Sequence, residues 1–203
     1  MKLYDYLPSG NGYKARLLLA QLGRPFTLVV KDILAGETRT PDYLAVNPNG
    51  RIPLLELDDG RRLAESDAIL FYLAEGTSFL PDERFARAQV LQWMFFEQYS
   101  HEPYVAVARF WVHSLGKGEE WAEQLREKRE RGYQALAVME AHLAPRPFFV
   151  ADRYTIADIA LYAYTHVAHE GGFDLTPYPR VRAWLVRVAG QPGHVPITQA
   201  VFA

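Results

Sequence analysis

The sequence contains no cysteine among its 203 residues. A chain without cysteine cannot form a disulfide, offers no thiolate to a metal ion and has no cysteine nucleophile. Any thiol chemistry at this protein must therefore use a thiol that arrives with a substrate.

The sequence also lacks the features that favour membranes, nucleic acids or metal ions. No stretch approaches the roughly 20 consecutive apolar residues of a membrane helix, and the first residues, MKLYDYLPSG, contain no signal-peptide core. A net charge of −2 gives no electrostatic attraction to nucleic acid or to an anionic membrane. The six histidines show no spacing typical of a metal site. We therefore expect a cytoplasmic protein without a metal, a nucleic-acid partner or a membrane.

The first part of the sequence alternates between strand and helix patterns. Apolar residues make up 49% of the chain, which is ample for a buried core. The first helix should end at Gly23, because glycine favours the stop position of a helix. Strands are predicted at 2–6, 25–30, 52–57 and 61–64, and helices at 11–23, from Pro41 onward and at 65–75. This order, βαβαββα, predicts an α/β unit.

The second part of the sequence has helical patterns almost throughout. It follows the segment GTSFLPDERF at 76–85, whose glycine, proline and charges interrupt the pattern. Pro103 should kink or interrupt the first of the later helices. These helices are predicted at 86–115, 119–144, 155–169 and 178–190. We predict two domains, residues 1–77 and 86–203, joined by a linker at 78–85.

Ser9 lies in the flexible stretch LPSGNGY, just before the first predicted helix. Serine and asparagine in such a turn usually cap the helix, and no histidine precedes His101 to activate Ser9 as a nucleophile. A hydroxyl at a helix N-terminus can also donate to a bound thiolate. Lowering a thiol pKa by two units needs about 2.7 kcal/mol, and a hydrogen bond to a charged group supplies roughly 1.5 to 3 kcal/mol. The cap and the thiolate donor both remain open at this point.

Ile52-Pro53 opens the third predicted strand. Proline at the start of a strand commonly marks a sheet edge. A cis peptide bond here would turn the N–H and C=O of Ile52 outward, where an extended peptide ligand could pair with them.

Glu65-Ser66 stands where the fourth strand meets the next helix. Ser66 is a natural N-cap, and Asp67 suits the first turn of a helix. The same groups could bind a free amino-acid end. The helix N–H groups and the hydroxyl would then hold its carboxylate, and Glu65 its ammonium.

These three features follow the order of the thioredoxin-like half of a glutathione transferase. The segment NPNGRIPLLELDDGRRLAESDAILFYLAE resembles the glutathione-binding segment of that superfamily, and FFVADRYTIADIALYAY resembles its helical-domain signature. The resemblance covers nearly the whole chain. It implies an α/β thioredoxin-like N-terminal domain (βαβαββα) followed by an all-α C-terminal domain. The start SGNGYK is most similar to bacterial members of the serine or asparagine type, and the absence of cysteine excludes the cysteine type.

The resemblance implies glutathione as the co-substrate and assigns residues to it. Ser9 would face the glutathione sulfur, with Asn11 as a second donor. The backbone of Ile52 would contact the cysteinyl part, and Pro53 would be the cis-proline. Glu65 and Ser66 would bind the γ-glutamyl end. Thr38 and Arg51 would bind the glycyl carboxylate.

Two further patterns lie in the helical half. Thr155 and Asp158 form a T-I-A-D capping element, which we assign to folding rather than to chemistry. Aromatic residues follow helical spacing within 97–113, a pattern more typical of a core than of a pocket. The resemblance implies an electrophile pocket between the two halves, whose candidate lining is Tyr104, Phe110 and Trp111.

The resemblance implies an enzyme that stabilises the glutathione thiolate. The thiolate would be transferred to a small hydrophobic electrophile or used in disulfide reduction, with peroxidase activity as a further side reaction. One alternative is a non-catalytic, glutathione-transferase-like binding or regulatory module, and another is a glutathione-dependent isomerase or dehalogenase. Because family members are usually dimers, we expect a homodimer.

Overall fold

The computed structural model of the chain describes residues 1–200. They form two compact units, which are described separately. Unit 1 contains Met1–Glu75 together with residues 192–200, and unit 2 contains Gly76–Gln191. None of the helices in this described part combines the length and the apolar composition that a membrane span requires.

Unit 1 is built on a mixed four-stranded sheet with the strand order β2-β1-β3-β4. The strand β1 pairs in parallel with β2 and antiparallel with β3, and β3 pairs antiparallel with β4. The strands are β1 (Lys2–Asp5), β2 (Thr27–Val30), β3 (Leu54–Glu56) and β4 (Arg62–Ala64), and the helices are α1 (Gly10–Gln21), α2 (Pro41–Val46) and α3 (Ser66–Ala74). The predicted order βαβαββα is confirmed.

The core of unit 1 lies where α1 and α3 meet the sheet. Leu3 of β1 and Leu55 of β3 are register partners, and both side chains are fully buried. Leu18 of α1 and Leu70 of α3 are equally buried, and the two helices contact each other. After α1 the chain turns at Gly23, whose φ of 61° is the left-handed conformation that glycine adopts without a steric penalty.

Unit 2 consists of helices, as the patterns after residue 85 predicted. They are α4 (Arg84–Phe96), α5 (Glu102–Arg109), α6 (Ala122–His142), α7 (Ile156–Thr165) and α8 (Pro179–Ala189). Pro103 is one of the first two residues of α5, and a π-helical turn, Glu97–His101, precedes that helix. The predicted interruption at Pro103 is therefore confirmed. A proline has no N–H to donate, and the start of a helix is where that donor is dispensable.

The C-terminal segment departs from the predicted division into domains. The sequence placed residues 86–203 in one helical domain, but residues 192–200 belong to unit 1. The side chain of Tyr13 donates to the carbonyl of Val195 at 2.7 Å. Arg16 donates to the carbonyls of Ile197 at 2.9 Å and Gln199 at 3.1 Å. These two buried side chains of α1 hold the segment against unit 1.

Candidate functional site

Ser9 occupies the N-cap position of α1. Its backbone is extended, with φ −73° and ψ 127°, and its Oγ accepts a hydrogen bond of 3.4 Å from the N–H of Gly12. The first turn of α1 carries no acidic residue that would offset the positive end of the helix dipole. A serine Oγ that accepts in this way still has its own proton to donate. The cap is thus present and is compatible with donation to a thiolate.

Asp5, the last residue of β1, packs against the turn that carries Ser9. The carboxylate of Asp5 lies so close to Gly12 that a Cβ at that position would be 1.5 Å from its Oδ1. Only glycine therefore fits this packing of the first turn of α1 against the strand. Burial raises the pKa of Asp5 to about 6, against the opposing effects of its contacts with Arg16 and the N–H of Tyr6.

Asn11 connects the start of α1 with the start of α3. Its Oδ1 accepts a hydrogen bond of 3.3 Å from the Oγ of Ser66. Since the oxygen of the Asn11 amide serves as the acceptor, the Nδ2 group is the part of this side chain that can donate. The structure thus brings together two predicted site residues that stand 55 positions apart.

Ile52 and Pro53 lie immediately before β3. The peptide bond between them is cis, as the resemblance implied. The hydroxyl of Tyr43 and the Nδ2 of Asn47 donate to the preceding carbonyl, that of Arg51, at 2.7 and 2.8 Å. Within the described residues, no backbone–backbone hydrogen bond outside the helices and strands involves Ile52. Its N–H and C=O therefore suit pairing with an extended ligand.

Glu65 and Ser66 depart from the ordinary helix start that the sequence predicted. The helix α3 begins at Ser66 itself, and Glu65, with φ 66° and ψ 117°, takes the N-cap position without a capping hydrogen bond from its side chain. The interpretation of Ser66 as N-cap is therefore wrong. A positive φ is uncommon at a residue other than glycine and costs of the order of 1–3 kcal/mol. Such strain clusters at functional sites, and here it leaves the amino end of α3 without a side-chain cap.

The two residues predicted for the glycyl carboxylate differ in exposure. Thr38 is buried, and its carbonyl would be 2.9 Å from a Cβ placed on Gly50. Arg51 has an exposed side chain. Both belong to unit 1, and their role toward glutathione stays a prediction.

The three aromatic residues predicted for the electrophile pocket belong to unit 2, and all are half-buried. Tyr104 and Trp111 share a neighbour, since the Nζ of Lys128 lies 5.3 Å from the centre of the first ring and 5.8 Å from that of the second. Trp111 also makes an edge contact with Trp121, the ring centres being 5.1 Å apart. Phe110 begins the π-helical turn Phe110–Ser114. Their role in substrate binding stays a prediction.

Lys14 is the residue of this site that sequence reasoning missed. Its side chain is fully buried, and its Nζ lies 3.4 Å from the Oγ of Ser66 and 3.2 Å from the Oδ1 of Asp67. A signal was available, because Lys14 stands four residues before Leu18 and hence on the apolar face of α1. A lysine on a buried face needs a charged or polar partner.

Two family models match the chain. Residues 1–75 match the N-terminal domain of the glutathione S-transferases, and residues 119–187 match the C-terminal domain. A curated relative, the disulfide-bond oxidoreductase YfcG of Escherichia coli K12, is 31% identical over 92% of this chain and 89% of its own length. The chain belongs to the glutathione S-transferase superfamily.

Solved structures of other superfamily members agree with this assignment. The glutathione S-transferase of Pseudomonas fluorescens Pf-5 is 56% identical, covers 98% of each chain and superposes with a TM-score of 0.96. Ure2p in complex with glutathione is 25% identical, covers 95% of each chain and has a TM-score of 0.85. This member of the superfamily thus has a thioredoxin-like N-terminal domain and a helical C-terminal domain.

Proposed function

We propose that this protein binds glutathione, stabilises its thiolate and transfers it to small hydrophobic electrophiles. The observation that carries the proposal is the hydrogen bond between Ser66 Oγ and Asn11 Oδ1. It joins the start of α3, which suits an amino-acid end, to the start of α1, which suits a thiolate. Ure2p, a relative by structure, is known in complex with glutathione.

Each part of the proposed site has one task. Glu65 takes the ammonium of the γ-glutamyl end, and the first N–H groups of α3, beginning with the backbone N–H of Ser66, take its carboxylate. The N–H and C=O of Ile52 pair with the cysteinyl part, next to Pro53. Thr38 and Arg51 are proposed to bind the glycyl carboxylate.

The reaction starts from the thiol of the bound ligand. The thiol gives its proton to solvent, and the thiolate receives hydrogen bonds from Ser9 Oγ and Asn11 Nδ2 together with the positive end of the α1 dipole. The thiolate then forms a carbon–sulfur bond with the electrophile, whose leaving group departs with the bonding electron pair. Tyr104, Phe110 and Trp111 are proposed to offer the apolar surface for that electrophile.

Disulfide reduction is a second candidate function, favoured by the name of the relative YfcG. The same thiolate would attack one sulfur of a disulfide and release the other as a thiolate, leaving a mixed disulfide. A second glutathione then resolves it, giving glutathione disulfide. A chain without cysteine needs glutathione for both steps.

Isothermal titration with glutathione, followed by turnover assays with a chloronitrobenzene and with a mixed disulfide, tests the function. We expect binding and at least one of the two turnovers. In the Ser9→Ala variant the pKa of the bound thiol should rise by about one to two units, as measured by titration of the thiolate absorbance. Absence of binding would refute the proposal, whereas binding without turnover would favour the regulatory module. An unchanged thiol pKa would transfer the role of Ser9 to Asn11 and the backbone.

We also propose that the protein is a cytoplasmic homodimer that acts in detoxification. The cytoplasm keeps glutathione in the reduced form that the reaction consumes. Phe85, Phe95 and Tyr99 follow one another along one side of α4 and the turn after it, with 69%, 67% and 85% of their surface exposed. Exposed aromatic side chains in such a row favour contact with another protein surface. Sedimentation velocity should show a dimer, and charged substitutions at Phe95 and Tyr99 should convert it to monomers.

A further inference from the structure

Lys14 has no role in the function proposed above, although it lies inside the proposed site. Its side chain is completely buried, whereas that of its ion-pair partner, Asp67, is 16% exposed. The ammonium also contacts the Oγ of Ser66 at 3.4 Å. A fully buried lysine is rare in proteins unless it is paired.

The charge of Asp67 is a problem for the proposed ligand. Asp67 lies in the first turn of α3, next to Ser66, where the carboxylate of the γ-glutamyl end would bind. Two carboxylates in one partly desolvated site repel each other. The ammonium of Lys14, 3.2 Å from Asp67 Oδ1, neutralises the protein's own carboxylate and leaves the amino end of α3 attractive to an anion.

Lys14 also fixes the direction of the hydrogen bonds in this cluster. An ammonium can only donate, so Ser66 Oγ accepts from Lys14. The one proton of the Ser66 hydroxyl then points to Asn11 Oδ1, at 3.3 Å. The hydrogen bonds from Lys14 to Ser66 and from Ser66 to Asn11 therefore fix the orientation of the Asn11 amide. Its Oδ1 accepts from Ser66, so its Nδ2 is the group that can donate to a thiolate.

We propose that Lys14 is a positioning residue of the glutathione site, which acts through Asp67 and Ser66 to make the amino end of α3 accept the α-carboxylate of the γ-glutamyl group. This inference rests on the proposed function. Lys14 itself does not touch the ligand. Its contribution should therefore appear as discrimination between ligands that have this carboxylate and ligands that lack it.

The test compares two ligands by isothermal titration. One is glutathione, and the other is 4-aminobutyryl-cysteinylglycine, which lacks only the α-carboxylate. The Lys14→Met variant should bind glutathione about ten- to a hundredfold more weakly than the original protein, and the analogue with nearly unchanged affinity. Lys14→Met combined with Asp67→Asn removes both charges and should regain most of the affinity for glutathione.

Lys2→Met is the matched control, because Lys2 also pairs with a carboxylate of unit 1, that of Glu56 at 2.9 Å, but with an exposed side chain. Its affinity for both ligands should equal that of the original protein. Equal losses for glutathione and for the analogue in Lys14→Met would overturn the inference, as would unchanged glutathione binding. If Lys14→Met does not fold, the affinities of the double variant are measured instead. Equal losses of affinity for both ligands in that variant would also refute the inference. No glutathione binding by the original protein would refute the proposed function instead.

Discussion

Replacement of Arg16 by methionine should lower the free energy of unfolding by about 3 to 5 kcal/mol. Arg16 and Asp5 form an ion pair of 2.8 Å in which both side chains are fully buried. The other donors of the guanidinium bind the carbonyls of Leu7, Ile197 and Gln199. The variant would leave a buried carboxylate without its counter-charge and three carbonyls without their donor. Urea unfolding at neutral pH measures the loss.

Two further variants identify the cause of that loss. Arg61→Met is the matched control, since Arg61 pairs with Asp59 at 2.7 Å but both side chains are exposed. Its urea midpoint should not change measurably, as is typical of surface ion pairs. Asp5→Asn combined with Arg16→Met removes the buried charge and should recover part of the stability. A double variant no more stable than Arg16→Met would show that the carbonyl contacts, rather than the charge, dominate.

The loss caused by Arg16→Met should also depend on pH. Burial raises the folded-state pKa of Asp5 from 3.8 to about 6, and Arg16 opposes this rise. Without Arg16 the folded-state pKa should rise further, whereas the pKa in the unfolded chain stays near its ordinary value. An acid whose pKa is raised by folding contributes stability that is present below its unfolded pKa and is lost as the pH passes its folded pKa. The variant should therefore lose more stability at pH 8 than at pH 5, and an equal loss would contradict this reasoning.

The elements that the sequence predicted correctly depend on local patterns. The four strands and the stop of α1 at Gly23 follow from alternation and turn residues within a few positions. The DDG turn before β4 predicts even this short strand, which has only the three residues Arg62–Ala64. Most boundaries differ from the predicted ones by one or two residues, the usual fraying of element ends.

The parts that the sequence did not predict depend on pairs far apart in the chain. Arg16 reaches Ile197 across 181 positions, so no local pattern could assign residues 192–200 to unit 1. Lys14 and Asp67 form an ion pair although they are 53 positions apart in the sequence. The role of Lys14 can therefore be recognised only when α1 and α3 are seen to be neighbours. The positive φ of Glu65 was missed for another reason, since local preferences predict an ordinary cap there. At a site, function can override such preferences.

Replacement of Asp158 by alanine is the second change with a large expected effect. The sequence predicted a capping pair with Thr155, and the structure confirms that the carboxylate accepts from the Thr155 N–H at 2.9 Å and from its hydroxyl at 3.1 Å. It also shows two contacts that capping rules do not predict, from the N–H of Phe149 at 3.2 Å and from the indole of Trp184 at 2.9 Å. Asp158 therefore ties the start of α7 to the preceding loop and to α8.

The loss of four buried hydrogen bonds should cost about 4 kcal/mol, which is more than the 1 to 2 kcal/mol expected of a cap alone. Urea unfolding of Asp158→Ala, Thr155→Ala and Trp184→Phe separates the contributions. Thr155→Ala removes the threonine hydroxyl of the capping box and keeps the carboxylate, so it should cost about 1 to 2 kcal/mol. Trp184→Phe removes only the indole donor and should cost about 1 kcal/mol. If Asp158→Ala cost no more than Thr155→Ala, the carboxylate would be only a helix cap. A clearly larger loss would mean that one buried side chain holds together the start of α7, the preceding loop and α8, whose Trp184 lies 26 positions away in sequence.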